Sequence, residues 1–222
     1  MKKILVVAAH PDDEALGCGG TIARHAIEGD LVHLVLMADG VYSRSNITSE
    51  DFERRMAALK SAQSILGISS VDYLGLPDNR MDSIQLLDIV QKLEPIIENK
   101  QPTIVYTHHH GDLNIDHRIT HEAVMTACRP MPNFSVKEIY GFEVMSSTEW
   151  ASPIHSTFIP SFFVDISKQL PIKIKALEAY AEEMRSVPHS RSIKHIEVLA
   201  RHRGYSIGVE AAEAFEVYRV IH

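Results

Sequence analysis

Six apolar residues at positions 4–9 (Ile-Leu-Val-Val-Ala-Ala) run without a polar break into His10-Pro11-Asp12-Asp13-Glu14. The run is short and β-branched and does not alternate, which is the pattern of a strand covered on both faces. Such a strand belongs inside a parallel sheet with helices packed against it, and this restricts the chain to the α/β class. Pro11 stops it, because proline has no N–H to give to the ladder. His10, Asp12, Asp13 and Glu14 are then delivered together to the strand's carboxyl end, the edge at which open α/β sheets bind ligands. An imidazole and a carboxylate three residues apart on a sharp turn can point at one cation, leaving the neighbouring carboxylate free as a base. This segment points to a metal-dependent hydrolase.

The same rhythm continues. Residues 16–28 read as a helix opened by Gly17, Gly19 and Gly20, and 31–37 as a second strand. Residues 50–66 form an amphipathic helix with Phe52, Met56, Leu59, Ala62 and Leu66 on one face, stopped by Gly67. A short strand at 71–74 precedes a helix that Ser83 would cap, with Ile84, Leu87, Val90, Leu93 and Ile97 as its core stripe. A fourth strand at 103–107 and a helix at 116–128 follow. This alternation predicts parallel strands joined by right-handed crossovers, a Rossmann-like and mostly parallel sheet flanked by helices. The last third is less regular, with added strands at 136–144, 157–166 and 215–221 and helices at 171–184 and 193–202. No linker or repeat divides the chain, so a single α/β domain over residues 1–222 is expected.

Composition removes several classes of partner. A formal charge of −7 argues against nucleic acid and against an anionic membrane surface, both of which need a basic patch. No apolar run approaches the ~18 residues of a membrane span. The Met-Lys-Lys start mimics a signal peptide, but its apolar run flows into the polar motif, which cleavage would destroy. Cys18 and Cys128 make neither a disulfide framework nor a thiolate metal site. A cytoplasmic protein is the expectation, and a homo-oligomer the expected assembly.

Histidines concentrate at 108, 109, 110, 117 and 121. The stretch Thr107-His108-His109-His110-Gly111-Asp112-Leu113-Asn114-Ile115-Asp116-His117 follows the fourth strand, again at a carboxyl end, so it can share a crevice with residues 10–14. Two imidazoles and a carboxylate are a common catalytic set for Zn²⁺, which lowers the pKa of water toward about 7. A nearby unligated carboxylate such as Asp12 can take that proton and pass it to a leaving amine. Gly17, Gly19 and Gly20 match neither the dinucleotide nor the P-loop spacing and read as tight helix packing. Arg54 and Arg55 sit on a polar helix face, either as solvated charges or as substrate contacts. Asp39, after the second strand, and Asp78-Asn79-Arg80, after the third, share the same sheet edge and are candidates for substrate contacts.

With these residues in view, the chain resembles the GlcNAc-phosphatidylinositol de-N-acetylase (PIG-L/LmbE-like) family, which includes the sugar deacetylases of mycothiol and bacillithiol synthesis. The resemblance rests on Ala9-His10-Pro11-Asp12-Asp13-Glu14 and Asp116-His117, and more loosely on Arg54/Arg55, Leu66-Gly67, Leu76-Pro77-Asp78 and Arg203-Gly204 through Phe215. It implies that His10, Asp13 and His117 hold zinc, that Asp12 is the general base, and that the substrate is an N-acetylated sugar or glycoconjugate. The family often carries a histidine three residues before the last ligand, where Asn114 stands here. Asn114 can donate a hydrogen bond but carries no charge. Strand alternation lets His108 and His110 share a face, so His110 or His108 is expected to supply the electrophilic donor, with Asn114 secondary. Asp116 is placed to orient an imidazole. Two rival readings are a Rossmann-type nucleotide-sugar-binding or transferase domain and a metal-binding but catalytically silent homologue.

Overall fold

The computed structural model describes residues 1–43 and 46–222. In chain order its elements are β1 (Lys3–Ala8), α1 (Asp13–Ile27), β2 (Leu31–Ala38), α2 (Ser49–Leu66), β3 (Ser70–Leu76), α3 (Leu86–Lys100), β4 (Ile104–His108) and α4 (Ile115–Ala127). There follow β5 (Glu138–Phe142), β6 (Phe162–Asp165), α5 (Leu170–Ala179), α6 (Ile193–Tyr205) and β7 (Ala212–Val220). The strands form one sheet in the order β3-β2-β1-β4-β5-β7-β6. The first five are mutually parallel; β7 runs antiparallel to both β5 and β6.

The alternation along β1 splits the core in two. Ile4, Val6 and Ala8 pack with residues of α1, α2, α5 and α6, while Leu5, Val7 and Ala9 pack with α3 and α4. β1 is therefore apolar throughout because both its faces are covered. It lies where the order reverses, with β2 on one side and β4 on the other, and a crevice opens beyond the carboxyl ends of the strands at such a switch point.

Two boundaries differ from the sequence reading. Helix α1 begins at Asp13 rather than near 16, so the motif's second carboxylate is already in its first turn. Ser83 does not cap α3: it closes a 3-10 turn at Met81–Ser83, and the helix starts at Leu86 after Gln85. The cause is tertiary, since the Met81 N–H donates to Asp116 Oδ1 at 3.1 Å and its side chain is buried. Leu87 consequently faces solvent.

The glycines of α1 leave no room for a phosphate. A Cβ at Gly17 would stand 2.3 Å from the Phe142 ring, and one at Gly20 would stand 2.7 Å from Ile166. Phe142 is fully buried and has nowhere to retreat. Gly17→Ala is therefore expected to lower stability by about 1–3 kcal/mol, overpacking outweighing the helix-propensity gain of about 0.5–1 kcal/mol. Urea denaturation measures this, and an unchanged midpoint would show that the packing is looser than described.

Helix α1 is broken at Cys18 (φ −143°, ψ 24°). The Gly20 and Thr21 N–H groups donate to the Glu213 carboxylate of β7 at 2.9 and 2.7 Å. Lys173 of α5 neutralises Glu213 at 2.6 Å and donates to the Leu16 carbonyl at 2.7 Å. All these groups are buried, so the charge pair is satisfied at every face. No helix among the described residues is long and apolar enough to cross a membrane.

Candidate functional site

The carboxyl ends of β1 and β4 bring two segments about a hundred residues apart in sequence to one point. Asp13 Oδ2 lies 3.3 Å from His10 Nδ1 and 3.3 Å from His117 Nε2, and the donor atoms of the three residues all lie within 4.8 Å of one another. His10 is held by its own backbone N–H, which donates to Asp13 Oδ2 at 2.9 Å. His117 is placed by the start of α4, where Asn114 caps the helix: its Oδ1 accepts the Asp116 N–H at 2.8 Å. The three side chains are buried.

The remaining nitrogen of each imidazole faces a carboxylate. His10 Nε2 lies 3.1 Å from Asp116 Oδ2 and 3.2 Å from Asp78 Oδ1. Asp116 is itself fixed by the Asn79 and Met81 N–H groups. His117 Nδ1 lies 3.2 Å from Asp112 Oδ1. Asp112 in turn accepts from the Ser147 hydroxyl, and from Thr148 Oγ1 at 2.6 Å. Burial pulls the His117 imidazole down, but Asp13 and Asp112 outweigh it and hold its pKa at about 9. His10 is likewise lifted well above the ordinary range, against burial, by Asp116, Asp13 and Asp78. A buried pocket that draws in positive charge this strongly, with two nitrogens and one oxygen converging, fits a divalent cation. The orientation of both imidazoles by carboxylates is the arrangement metal-ligating histidines usually have. Asp78 and Asp116 also approach each other around His10, but both Asp116 oxygens are already engaged by backbone N–H groups.

Asp12 stands beside this set without joining it. Its backbone is left-handed (φ 112°), a conformation that costs a non-glycine residue about 1–3 kcal/mol. Glu14 holds it there, with Oε2 accepting the Asp12 N–H at 3.0 Å and Oε1 accepting the Tyr180 hydroxyl at 2.7 Å. Burial pushes the Asp12 carboxyl up to about 6, opposed by the Arg191 and Arg55 guanidiniums. Arg191 Nη1 is 3.0 Å from Asp12 Oδ2 and Arg55 Nη1 is 3.7 Å away. Arg55 also donates to the Gly40 carbonyl and pairs with Glu183 at 3.1 Å, while its Nε has no hydrogen-bond partner among the described residues.

These groups line a polar cavity of about 140 Å³, walled by His10, Asp12, Asp13, Gly40, Ser43, Arg55, Asp78, Asn79, Asn114, His117, Ser146, Ser147, Glu183 and Arg191. Of the residues singled out from sequence, His10, Asp12, Asp13, Arg55, Asp78, Asn79, Asn114 and His117 are on this wall, and Asp116 lies directly behind His10. Four others are not on it. Arg54 is exposed and pairs with Asp51 and Glu182. Arg80 is exposed outside the cavity. Asp39 is buried, with Oδ1 taken by the Val41 and Tyr42 N–H groups. His110 turns outward against Tyr218 and His121.

The alternation expected to aim His108 and His110 alike does not hold, because β4 ends at His108. His108 is instead a fully buried neutral ring stacked on His117 at 3.9 Å, accepting the Ala9 N–H at 2.9 Å, with burial holding its pKa well below the usual value. Asp112, Ser147, Glu183 and Arg191 were not singled out from sequence. Only Asp112 carried a local signal, lying inside the histidine-rich segment.

Comparison with known proteins places the chain in a family. Residues 5–128 match the model of a family described as PIG-L: GlcNAc-PI de-N-acetylase. The chain is 34% identical over 185 residues to the uncharacterized deacetylase YaiS of Escherichia coli (strain K12), covering 81% of this chain and 90% of that protein. It is 29% identical over 196 residues to the diacetylchitobiose deacetylase of Thermococcus kodakarensis, covering 82% of this chain and 70% of that one. Among solved structures, the conserved protein TT1542 from Thermus thermophilus superposes with a TM-score of 0.81 at 26% identity, covering 100% of this chain and 97% of that chain.

Proposed function

The chain belongs to the PIG-L (GlcNAc-PI de-N-acetylase) family, and on that premise we propose that it is a zinc-dependent hydrolase removing the acetyl group from an N-acetylated sugar or sugar conjugate. The observation that carries this reading is the placing of Asp12, a carboxylate whose burial pushes its pKa up to about 6, beside three converging donors it does not join. His10, Asp13 and His117 would hold the ion. Bound there, zinc polarises an amide carbonyl and lowers the pKa of water. Asp12 takes the proton from the attacking water and returns it to the departing amine nitrogen, for which a pKa near the working pH suits both directions. Arg191 and Arg55 keep Asp12 charged for the first transfer. Asp116 and Asp112 hold the two imidazoles in the tautomers that ligation needs. Asn114, whose amide N–H₂ already donates to Asn79 Oδ1 at 3.1 Å, lines the cavity and would give its second N–H to the substrate. That part was expected first of His110 or His108; His110 faces away and His108 accepts the Ala9 N–H. Arg55 and Asn79 would contact the sugar.

Zinc-loaded protein incubated with a panel of N-acetylglucosamine glycosides is expected to release acetate and free amine in equal amounts, and chelation should stop both. Zinc binding without acetate release from any glycoside would favour a silent metal-binding homologue. A transferase of the Rossmann type has no support in the packing around Gly17 and Gly20.

A further inference from the structure

The cavity is small and almost wholly polar. At about 140 Å³ it lies below the roughly 300–1,000 Å³ of pockets that enclose a whole ligand, and among the described residues its wall holds no aromatic side chain apart from the two imidazoles. It can take an acetamido group and part of one ring. Any second ring of a longer saccharide must rest on the rim. The apolar C–H face of a pyranose needs a flat apolar partner there.

Trp150 is the one tryptophan of the chain and is 51% exposed. Its position is fixed on one side by a residue of the cavity wall and on the other by a histidine bonded to one. On one side its backbone N–H donates to the carbonyl of Ser147, a residue of the cavity wall whose hydroxyl is bonded to Asp112, which orients His117. Glu149 locks the same turn by accepting the Ser146 and Ser147 N–H groups at 2.7 and 3.3 Å. On the other side the indole meets the His189 ring edge to face, with centroids 5.5 Å apart. His189 Nδ1 accepts the Arg191 N–H at 3.0 Å, and Arg191 holds Asp12. An exposed indole is thus tied through one chain of bonds to a metal ligand and through another to the base. Tyr42, another exposed aromatic, is already stacked on Phe52.

Resting on the deacetylase reading above, we propose that Trp150 is a stacking platform for a second sugar ring and makes the site prefer oligosaccharides to single N-acetyl sugars. It is a specificity residue, remote from the reacting atoms.

The indole is its own probe. Zinc-loaded protein should change its tryptophan emission on titration with a β-1,4-linked disaccharide of N-acetylglucosamine at concentrations where N-acetylglucosamine itself leaves the emission unmoved. Trp150→Ala should lower the ratio of kcat/KM for the disaccharide over the monosaccharide about five- to tenfold, through KM, as an aromatic contact of ordinary strength does. Trp150→Phe should restore most of it. Acetate release from both sugars with an unchanged ratio in Trp150→Ala overturns the platform while the deacetylase reading stands. An emission change from p-nitrophenyl N-acetylglucosaminide but not from the disaccharide overturns it in favour of an aryl aglycone. If neither sugar yields acetate the deacetylase reading fails, and an emission unmoved by the disaccharide then overturns the platform as well.

Discussion

Asp12→Asn is expected to lower kcat about 10²- to 10⁴-fold while the protein still binds about one equivalent of zinc. The amide keeps the shape and the two arginine neighbours of Asp12 but can neither take a proton from water nor return one to the amine. Metal content should hold because Asp12 stands outside the donor set of His10, Asp13 and His117. Kinetics together with metal analysis of the purified variant separates these roles. Near-complete activity would move the base to Asp78 or Glu183, the carboxylates of the cavity wall outside the proposed ligand set.

His117→Ala should be more damaging still. Losing a partner that only orients a ligand typically costs 10–100-fold in metal affinity, so loss of the ligand itself is expected to exceed about 100-fold, with deacetylation falling to background. A readout independent of turnover is thermal or chemical stability. Zinc at a hundred times its Kd should stabilise the unaltered chain by about 2.7 kcal/mol and leave the variant unmoved. Undiminished stabilisation of His117→Ala would place the third ligand elsewhere, with Asp78 and Asp116 around His10 as the alternative set.

The parts of this site that could be read from sequence are those in which chemistry and local geometry coincide. His10, Asp12 and Asp13 follow a strand that could only be buried, so one turn delivered them to the sheet edge. His117 followed a second strand in the same way. The parallel sheet was legible because β1 to β4 alternate with helices of ordinary length. What could not be read is whatever depends on long-range approach. Arg191 comes from a loop 179 residues beyond Asp12 and has no periodicity or motif to mark it. Asp112 looked like one polar loop residue among several, since its value lies in meeting Ser147 and Thr148 from another strand end. His110 and Arg80 were misleading for a related reason. Sequence adjacency to a site residue says nothing of direction once the strand has ended, and each points outward from a turn.

The family match stops at residue 128, which invites treating the first half of the chain as a self-sufficient catalytic module. The break in α1 forbids that. The N–H groups it frees are closed by a carboxylate from β7, neutralised by a lysine from α5, so the helix that carries Asp13 is completed by residues from the far end of the chain. The turn that carries Asp12 and Asp13 is therefore not expected to make a foldon of its own. It is expected to melt with the C-terminal strands, and a graft of residues 1–128 onto another scaffold would bring the motif without the charge that closes its helix.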